Sequence, residues 1–553
     1  MARKRPVWIG ARARLLPRLF ALLLLALFAL RIWDVVQVTS LTTDEGFHIV
    51  AGHSYLADRD FRINDEHPPL AKLWAVALPY FTLERAPIRS LDYPATPPGI
   101  GRLVGDFFRS LGDGMQPFID RSRYGAALLS ALLAVVLYGA AVWLYGNEWI
   151  ALLVVGVYTL EPTVLAHSPI VHTDIGSALG YLLGFISLCA WWKAPSLRRT
   201  GLVAAAVAIG CLLKFSMVVL PLFGLLVLSG KILTSRSDLR RYAAQGLVAA
   251  GIFYFVLLAG YLFADLDRSP ADFQGWNLIP FPRHFVHGVS TLFDHQQNGH
   301  GSYLFGRFSQ RGWWYYFPVA AALKFALPTL IWWLVGAVCW IRVRKGIEGN
   351  LWIAMAATYL AASMASSINI GVRHLMPLVP LLTLASGEAL LALGRRSRAL
   401  AGVFVAVTIG WLALSSARIH PHYLAYFNEL AGGAGNGWRY LSDSNSDWSQ
   451  ASRMWHRYRE QHPGTHFFNL SDYGGAENVL ERFSASRELP EGTYAASTWY
   501  LLSRRVSQLA YLRELEPVDH VGYVLRIYRI GPPEVQRYGQ WLATWKPDAT
   551  AAY

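Results

Sequence analysis

The sequence predicts a mainly α-helical, polytopic membrane protein of about eleven transmembrane helices, with a small α/β extracytoplasmic domain at its C-terminal end. Three observations carry that expectation. Of the 553 residues 54% are hydrophobic and only 16% are charged, whereas about a quarter of a soluble protein's residues are charged. The apolar residues gather in runs of membrane-spanning length, roughly 20 residues for a hydrocarbon core of about 30 Å. From residue 418 onward the chain turns polar and such runs stop. Coiled-coil, collagen-like, disordered and small disulfide-framework classes are excluded by the same composition. Cys189, Cys211 and Cys339 lie inside apolar runs, which gives neither a disulfide framework nor a C-x-x-C metal pair.

The apolar runs fall at 15–37, 124–145, 149–167, 175–192, 201–214, 216–230, 242–264, 318–341, 351–369, 375–393 and 399–417. Lys214 interrupts the pair at 201–230, and each half is short. That pair reads either as two full spans or as a broken, re-entrant pair lining a cavity. Arg3, Lys4, Arg5, Arg12, Arg14 and Arg18 precede or enter the first run, as in a signal peptide. The run is followed by Arg31-Ile-Trp-Asp34 rather than small residues, so it reads as an uncleaved anchor with a cytoplasmic N-terminus.

Every second connection should then be basic. Lys193, Arg198 and Arg199, then Lys231, Arg236, Arg240 and Arg241, then Arg342, Arg344 and Lys345, then Arg395, Arg396 and Arg398 satisfy this, and only the tight Gly146–Glu148 turn lacks a basic residue. The formal charge is +14. These segments and the N-terminus hold nineteen basic residues against Glu148, Asp238 and Glu348, so the whole excess lies on the cytoplasmic side. It orients the chain and meets anionic lipid, and a nucleic-acid partner loses its support.

The opposite side receives a first loop at about 38–123, a short loop around His167–Asp174, a third at about 265–317, a short one around Asn369–His374, and the tail, 418–553. The first loop opens with Thr42-Thr43-Asp44-Glu45-Gly46-Phe47-His48. Paired carboxylates at a membrane boundary make a candidate general base, because crowding and partial burial raise a carboxyl toward a useful range. An interfacial helix cap is the alternative. Next comes Asn64-Asp65-Glu66-His67-Pro68-Pro69-Leu70-Ala71-Lys72, followed by an apolar stretch, 73–81, too short to span and read as interfacial. Its His and Lys are candidate phosphate ligands on a turn fixed by the prolines; helix-start punctuation and a snorkelling Lys72 are the plainer reading.

Glu161, His167, His172 and Asp174 cluster at the edge of the third and fourth spans, a candidate metal set whose spacing is not that of H-E-x-x-H. Asp174 also suits a helix N-cap. Lys214 and Arg373 are ionisable residues in or at the ends of spans, which points to function or to snorkelling. Guanidinium suits phosphate. The aromatic run Trp313–Phe317 reads as an interfacial belt. In the tail, Asp443-Ser-Asn445-Ser-Asp447 begins like a calcium loop, but Trp448 stands where glycine is required and Met454 where glutamate is, so an EF-hand is excluded and Asx-turn chemistry is expected. The tail is expected to form a helix at Trp448–Gln461 and strands at Thr465–Leu470, Thr493–Leu501 and Val521–Ile530.

In this order and on one side, Asp44-Glu45, His67-Pro68-Pro69-Leu70-Ala71-Lys72, Asp174, Lys214-Phe215 and Arg373 resemble the GT-C superfamily of membrane glycosyltransferases. The likeness covers residues 15–417 and is to the protein O-mannosyltransferases, glycosyltransferase family 39, and the related lipid A aminoarabinose transferases. It implies a polyprenyl-phosphate-linked sugar as donor and an acceptor hydroxyl on protein, lipid or glycan at the outer face. Asp44 is similar to the family's catalytic base, with inversion at the sugar C1, and Glu45 would orient or assist. His67, Lys72, Lys214 and Arg373 would hold the departing lipid phosphate; Glu66, His167, His172 and Asp174 complete the candidate site. The resemblance requires no nucleotide-sugar loop and no cofactor, and leaves a divalent metal open. It implies a bacterial inner-membrane location with a periplasmic or extracellular C-terminal domain.

The sequence departs from the eukaryotic-type family pattern in carrying that domain instead of a large insert between spans, and in having Ala71 where the family has glycine. Its tail motif, Tyr426-Phe427-Asn428-Glu429 with Asp443 to Gln450, looks like that of bacterial family-39-like proteins. Transfer to lipid A or a cell-envelope polysaccharide is the alternative within the superfamily. A transporter or lipid flippase would show pseudo-repeated halves and short loops, which this sequence lacks.

Overall fold

The computed structural model describes residues 11–83, 85–264, 281–468, 487–502 and 507–546. The predicted Arg3, Lys4 and Arg5 flank, the first part of the third outer loop (265–280) and the end of the strand predicted at Thr465–Leu470 lie outside them. Every predicted apolar run folds as helix. Among the described residues seven helical segments, Leu15–Val38, Gly112–Tyr145, Asp174–Lys193, Phe215–Thr234, Arg236–Gly260, Leu378–Arg396 and Arg398–Ile419, are long and apolar enough to cross a bilayer. The chain is an integral multi-pass membrane protein.

Three runs differ from plain spans for physical reasons. The run 149–167 is two helices, α6 (Glu148–Leu160) and α7 (Pro162–His167), because Pro162 has no N–H to continue the ladder and Glu161 turns extended before it. The run 318–341 likewise divides into α13 (Tyr316–Lys324) and α14 (Leu327–Val343). The two breaks satisfy each other: Glu161 accepts from the Ala326 N–H at 3.3 Å, and Thr163 Oγ1 donates to the Lys324 carbonyl at 2.6 Å. Irregular backbone at membrane depth needs such internal partners. The 201–230 pair is α9 (Leu197–Leu213) and α10 (Val219–Thr234), joined by a 3-10 turn, Phe215–Val218. At 1.5 Å per residue, α9's 17 residues reach about 25 Å, and Lys214 stands at its C-terminal end, at the turn into α10.

The predicted first outer loop is structured. It contains α2 (Glu45–Ala57), α3 (Leu70–Thr82) and α4 (Pro97–Ser110). These pack on the first turns of α5 (Met115–Tyr145) around Ile49, Val76, Leu103, Phe107 and Phe118. With 31 residues α5 runs about 46 Å, beyond the apolar core, which gives the loop helices their platform. Glycine permits the close approach of α3: a Cβ on Gly125 would sit 2.4 Å from the Ala75 carbonyl.

Ion pairs Arg18–Glu148, Lys193–Glu348 and Arg344–Glu388 gather the basic connections at the helix ends away from Asp44, Asp174 and Arg373. The aromatic run at 313–317 is not a uniform belt. Trp314 is exposed, but Tyr316 and Phe317 are buried because α13 begins within the run and turns them into the main core.

A short hairpin, β1 (Ser302–Leu304) and β2 (Arg307–Ser309), precedes α13; after α17 (Arg398–Ile419) the tail crosses the end of the bundle and then forms a four-stranded sheet of order β3-β4-β6-β5, with β3 His466–Phe468, β4 Gly492–Ser497, β5 Asp519–Val521 and β6 Leu525–Ile530. Alternate residues face opposite sides. Ala495 and Ile527 pack with Met454 and Trp455 of α18 (Ser452–Gln461), whereas Tyr494, Ala496, Tyr528 and Ile530 pack with Leu509, Leu512 and Tyr538 of the later helices. Sequence boundaries shift accordingly. The predicted helix starts at Ser452, not Trp448; the predicted strand Thr493–Leu501 ends at Ser497 as Thr498–Leu501 turns helical. The predicted strand Val521–Ile530 begins inside a hairpin: Val521 pairs with Leu525 across a three-residue connection in which Gly522 and Tyr523 both take positive φ.

Candidate functional site

The helix ends opposite the basic connections bring together Asp44, His172, Asp174, Lys214 and Arg373, four sequence regions up to 329 residues apart. Asp44 occupies the N-cap position of α2 but makes no capping bond with its side chain. Its carboxylate is instead 40% exposed, with Oδ2 3.8 Å from both His172 Nε2 and an Arg373 Nη. Asp174, at the first turn of α8 (Asp174–Lys193), divides its two oxygens: Oδ1 lies 2.5 Å from Lys214 Nζ and Oδ2 2.9 Å from His172 Nδ1. Arg373 is buried, with one Nη 2.9 Å from His172 Nε2 and another contact, 3.7 Å, to Asp174. The chain places it on a short 3-10 turn, Val372–Leu375, ahead of α16 (Leu378–Arg396).

Glu45 points the other way. It is fully buried, accepts from the Thr42 N–H at 2.7 Å and the Val171 N–H at 3.0 Å, and pairs with buried Arg123 at 3.3 Å. It ties the 168–173 loop, and with it His172, to the start of α2. Lys72 is also absent from the cluster's ion pairs. Its three N–H donors go to the Tyr55 hydroxyl (2.8 Å) and the Asn64 (2.5 Å) and His67 (2.8 Å) carbonyls, because a buried ammonium must satisfy every donor. Burial pushes its pKa down to about 7. Glu66 accepts from the Asn64 side chain at 3.1 Å on the exposed surface of that loop.

The metal set drawn from Glu161, His167, His172 and Asp174 does not assemble. Glu161 serves the two helix breaks, and His167 Nδ1 lies 2.8 Å from the carbonyl of Thr163 one turn back. Only His172 and Asp174 meet. The structure pairs His172 with two other imidazoles. His48 of α2 stands 4.6 Å, ring centre to ring centre, from His172 and 5.0 Å from His67. Burial, with the neighbouring positive groups, holds His48 and His67 well below the usual histidine range.

The tail adds residues to the site from the segment 443–448, which the sequence marked as an Asx-turn and a family-like motif without assigning it to the site. Trp448 lies under the Arg373 guanidinium at 4.2 Å, and Ser444 Oγ accepts from Arg373 Nε at 3.0 Å. Asn445 fixes this segment by accepting from the Val372 N–H at 2.9 Å and donating to the Tyr316 hydroxyl at 2.9 Å. Buried Lys324 donates to the carbonyls of Leu424, Tyr426 and Asn445, fastening the tail to α13. Asp443 sits in the left-handed region at φ 58, which short polar side chains tolerate. Burial raises its carboxyl to about 6 against the opposing pull of Arg373, and Asp44 adds to the rise. The buried Arg373 guanidinium thus has the Asp44 and Asp174 carboxylates within 3.8 Å, an open carboxylate that can take a proton beside a cation that can hold an anion.

No protein-family model matches the sequence, and no curated protein matches it. Among solved structures the chain is similar to the crystal structure of ArnT from Cupriavidus metallidurans bound to undecaprenyl phosphate, at 13% identity and a TM-score of 0.46 over 92% of this chain and 97% of that one. The apo state of the same protein gives 14% identity and a TM-score of 0.45 over the same shares. Neither likeness assigns a residue or an activity to this chain.

Proposed function

We propose that the protein is a membrane glycosyltransferase that moves a sugar, of the mannose-like hexose class, from a polyprenyl-phosphate donor to a hydroxyl of an envelope protein, lipid or glycan. The reaction takes place at the extracytoplasmic face and inverts C1. One observation carries this reading: the solvent-open Asp44 carboxylate stands 3.8 Å from the buried Arg373 guanidinium, with Lys214 one residue further along the same network. A glycosyl transfer from a lipid phosphate needs a base for the acceptor and cations for the departing phosphate, side by side at a membrane edge. The motif resemblance assigns the same two roles to the same residues. Asp44 takes the acceptor proton as its oxygen attacks C1, and Arg373 with Lys214 holds the phosphate as the C1–O bond breaks. His172 and Asp174 orient those cations, and Glu45 orients His172 through the Val171 backbone. From the tail, Ser444 and Trp448 hold Arg373 in place on the outer side of the site.

The test uses purified protein in detergent with a polyprenyl-phosphate hexose and an envelope extract. Release of polyprenyl phosphate is expected, and Asp44→Asn should abolish release while still binding donor. Normal turnover by the Asn variant would remove Asp44 as the base, and no release with any extract would remove the reaction. Mass spectrometry of envelope proteins and lipids from a deletion strain identifies the sugar and the acceptor.

A further inference from the structure

His48, His67 and His172 come from three separate elements, the first turn of α2, the turn before α3 and the loop before α8. Their ring nitrogens lie within 4.8 Å of one another. His48 is fully buried, and neither of its nitrogens has a partner. A buried polar group without a hydrogen bond is costly and calls for an explanation. His172 is prepared differently: its Nδ1 lies 2.9 Å from Asp174 Oδ2, so a proton held on that side leaves the Nε2 lone pair for a ligand. Carboxylate–histidine pairs of this kind orient metal-ligating imidazoles. At present that lone pair faces an Arg373 Nη at 2.9 Å.

We propose that His48, His67 and His172 form a binding site for a borderline-soft divalent cation of the zinc class, distinct from the carboxylate–guanidinium pair that performs the transfer. Three imidazoles select zinc, cobalt or nickel over magnesium and calcium, which take oxygen ligands. With Zn–N near 2.05 Å, tetrahedral ligand nitrogens stand about 3.3 Å apart, so the rings close inward by roughly an ångström as the ion enters. The fourth position stays open, as in zinc sites that hold water or substrate, and Asp44 Oδ2 at 3.8 Å from His172 Nε2 is within reach of it. The ion and Arg373 compete for one lone pair. Metal entry therefore releases that guanidinium bond while Ser444 and Trp448 keep Arg373 in place. This inference stands on the histidine geometry and is read without donor or acceptor, so it survives or fails independently of the glycosyl transfer.

The experiment is metal analysis of the full-length protein in detergent after stripping with chelator and reloading with zinc or cobalt. One equivalent per chain is expected, with a visible cobalt spectrum of low-coordinate nitrogen ligation. His48→Ala and His67→Ala should lose the equivalent, and Asp174→Asn should weaken binding about 10- to 100-fold. Arg373→Gln should instead tighten it, since the competing donor is gone; that variant keeps the test decisive where a histidine variant fails to fold. His167→Ala, outside the triad, should retain the metal. No bound metal after reloading, or an equivalent that survives both His48→Ala and His67→Ala, overturns the site.

Discussion

The guanidinium of Arg373 stands 4.2 Å over the indole of Trp448, and this contact joins the chain entering α16 to a tail segment 75 residues later. Ser444 fixes the same side chain from the same segment. Arginine is favoured here over lysine because only a planar guanidinium stacks on an aromatic ring while its Nε and Nη atoms donate in different directions. The Arg373→Lys variant loses the Ser444 bond and the stacking together. At about 0.5–2 kcal/mol for the cation–π contact, polyprenyl-phosphate affinity should fall about tenfold or more, measured by calorimetric titration of the detergent-solubilised protein. Unchanged affinity would take Arg373 out of phosphate binding.

Glu45 and Arg123 make a buried ion pair, and removing one partner leaves the other charge uncompensated at a cost of about 3–5 kcal/mol. Glu45→Gln should therefore lower the apparent melting temperature in detergent, and Glu45→Gln with Arg123→Met should recover part of the loss. A Gln variant that melts like the parent but fails to turn over would assign Glu45 to the chemistry rather than to holding the loop.

Asp443 titrates near 6 in the folded protein, above its ordinary range. A raised carboxyl binds its proton more tightly folded than unfolded, so ionisation destabilises the fold as pH rises through about 6. Asp443→Asn, which keeps the left-handed conformation accessible, should melt higher than the parent at pH 8. The difference should fade as pH falls below about 4, where both states of the parent are protonated. A melting difference independent of pH would refute the assignment.

How far the sequence reached depends on the range of the interaction. Every apolar run became helix because hydrophobic periodicity and length are local, and the Pro-Pro at 68–69 fixed the start of α3 for the same reason. The break at Pro162 was equally local and readable, yet the continuous hydropathy across 149–167 masked it. Asp44, Asp174, Lys214 and Arg373 were legible as ionisable residues at span ends, and the fold brings them together. The buried partners of Lys72 and Glu45 were not legible, since nothing local reveals that Tyr55 and Asn64 meet the one and Arg123 the other. His48 and Trp448 were missed as members of the site because their partners lie 124 and 75 residues away. The Gly522-Tyr523 turn was missed for another reason: a non-glycine residue at positive φ leaves little trace in a pattern search.

Asp447 carries the remaining link, from the site segment to the sheet. Its Oδ2 accepts from the Ser497 hydroxyl, from Thr498 Oγ1 at 3.3 Å and from the Trp499 N–H at 3.1 Å, all at the end of β4 where the chain turns helical. Three residues earlier, Ser444 holds Arg373. The sheet is thus tied to the guanidinium through one carboxylate. Asp447→Ala removes the acceptor of four donors, these three and the Ser449 N–H that bonds Oδ1 at 3.3 Å, at about 1–3 kcal/mol for each group left buried and unpaired. The tail should become more sensitive to limited proteolysis around 442–450, and polyprenyl-phosphate affinity should weaken in parallel although Asp447 touches none of the candidate phosphate ligands. Asp447→Asn, which keeps one acceptor oxygen, should fall between the parent and the Ala variant in both measurements. If proteolysis rises while affinity stays at the parent value, the sheet only caps the bundle, and Arg373 is held by Ser444 and Trp448 without its help.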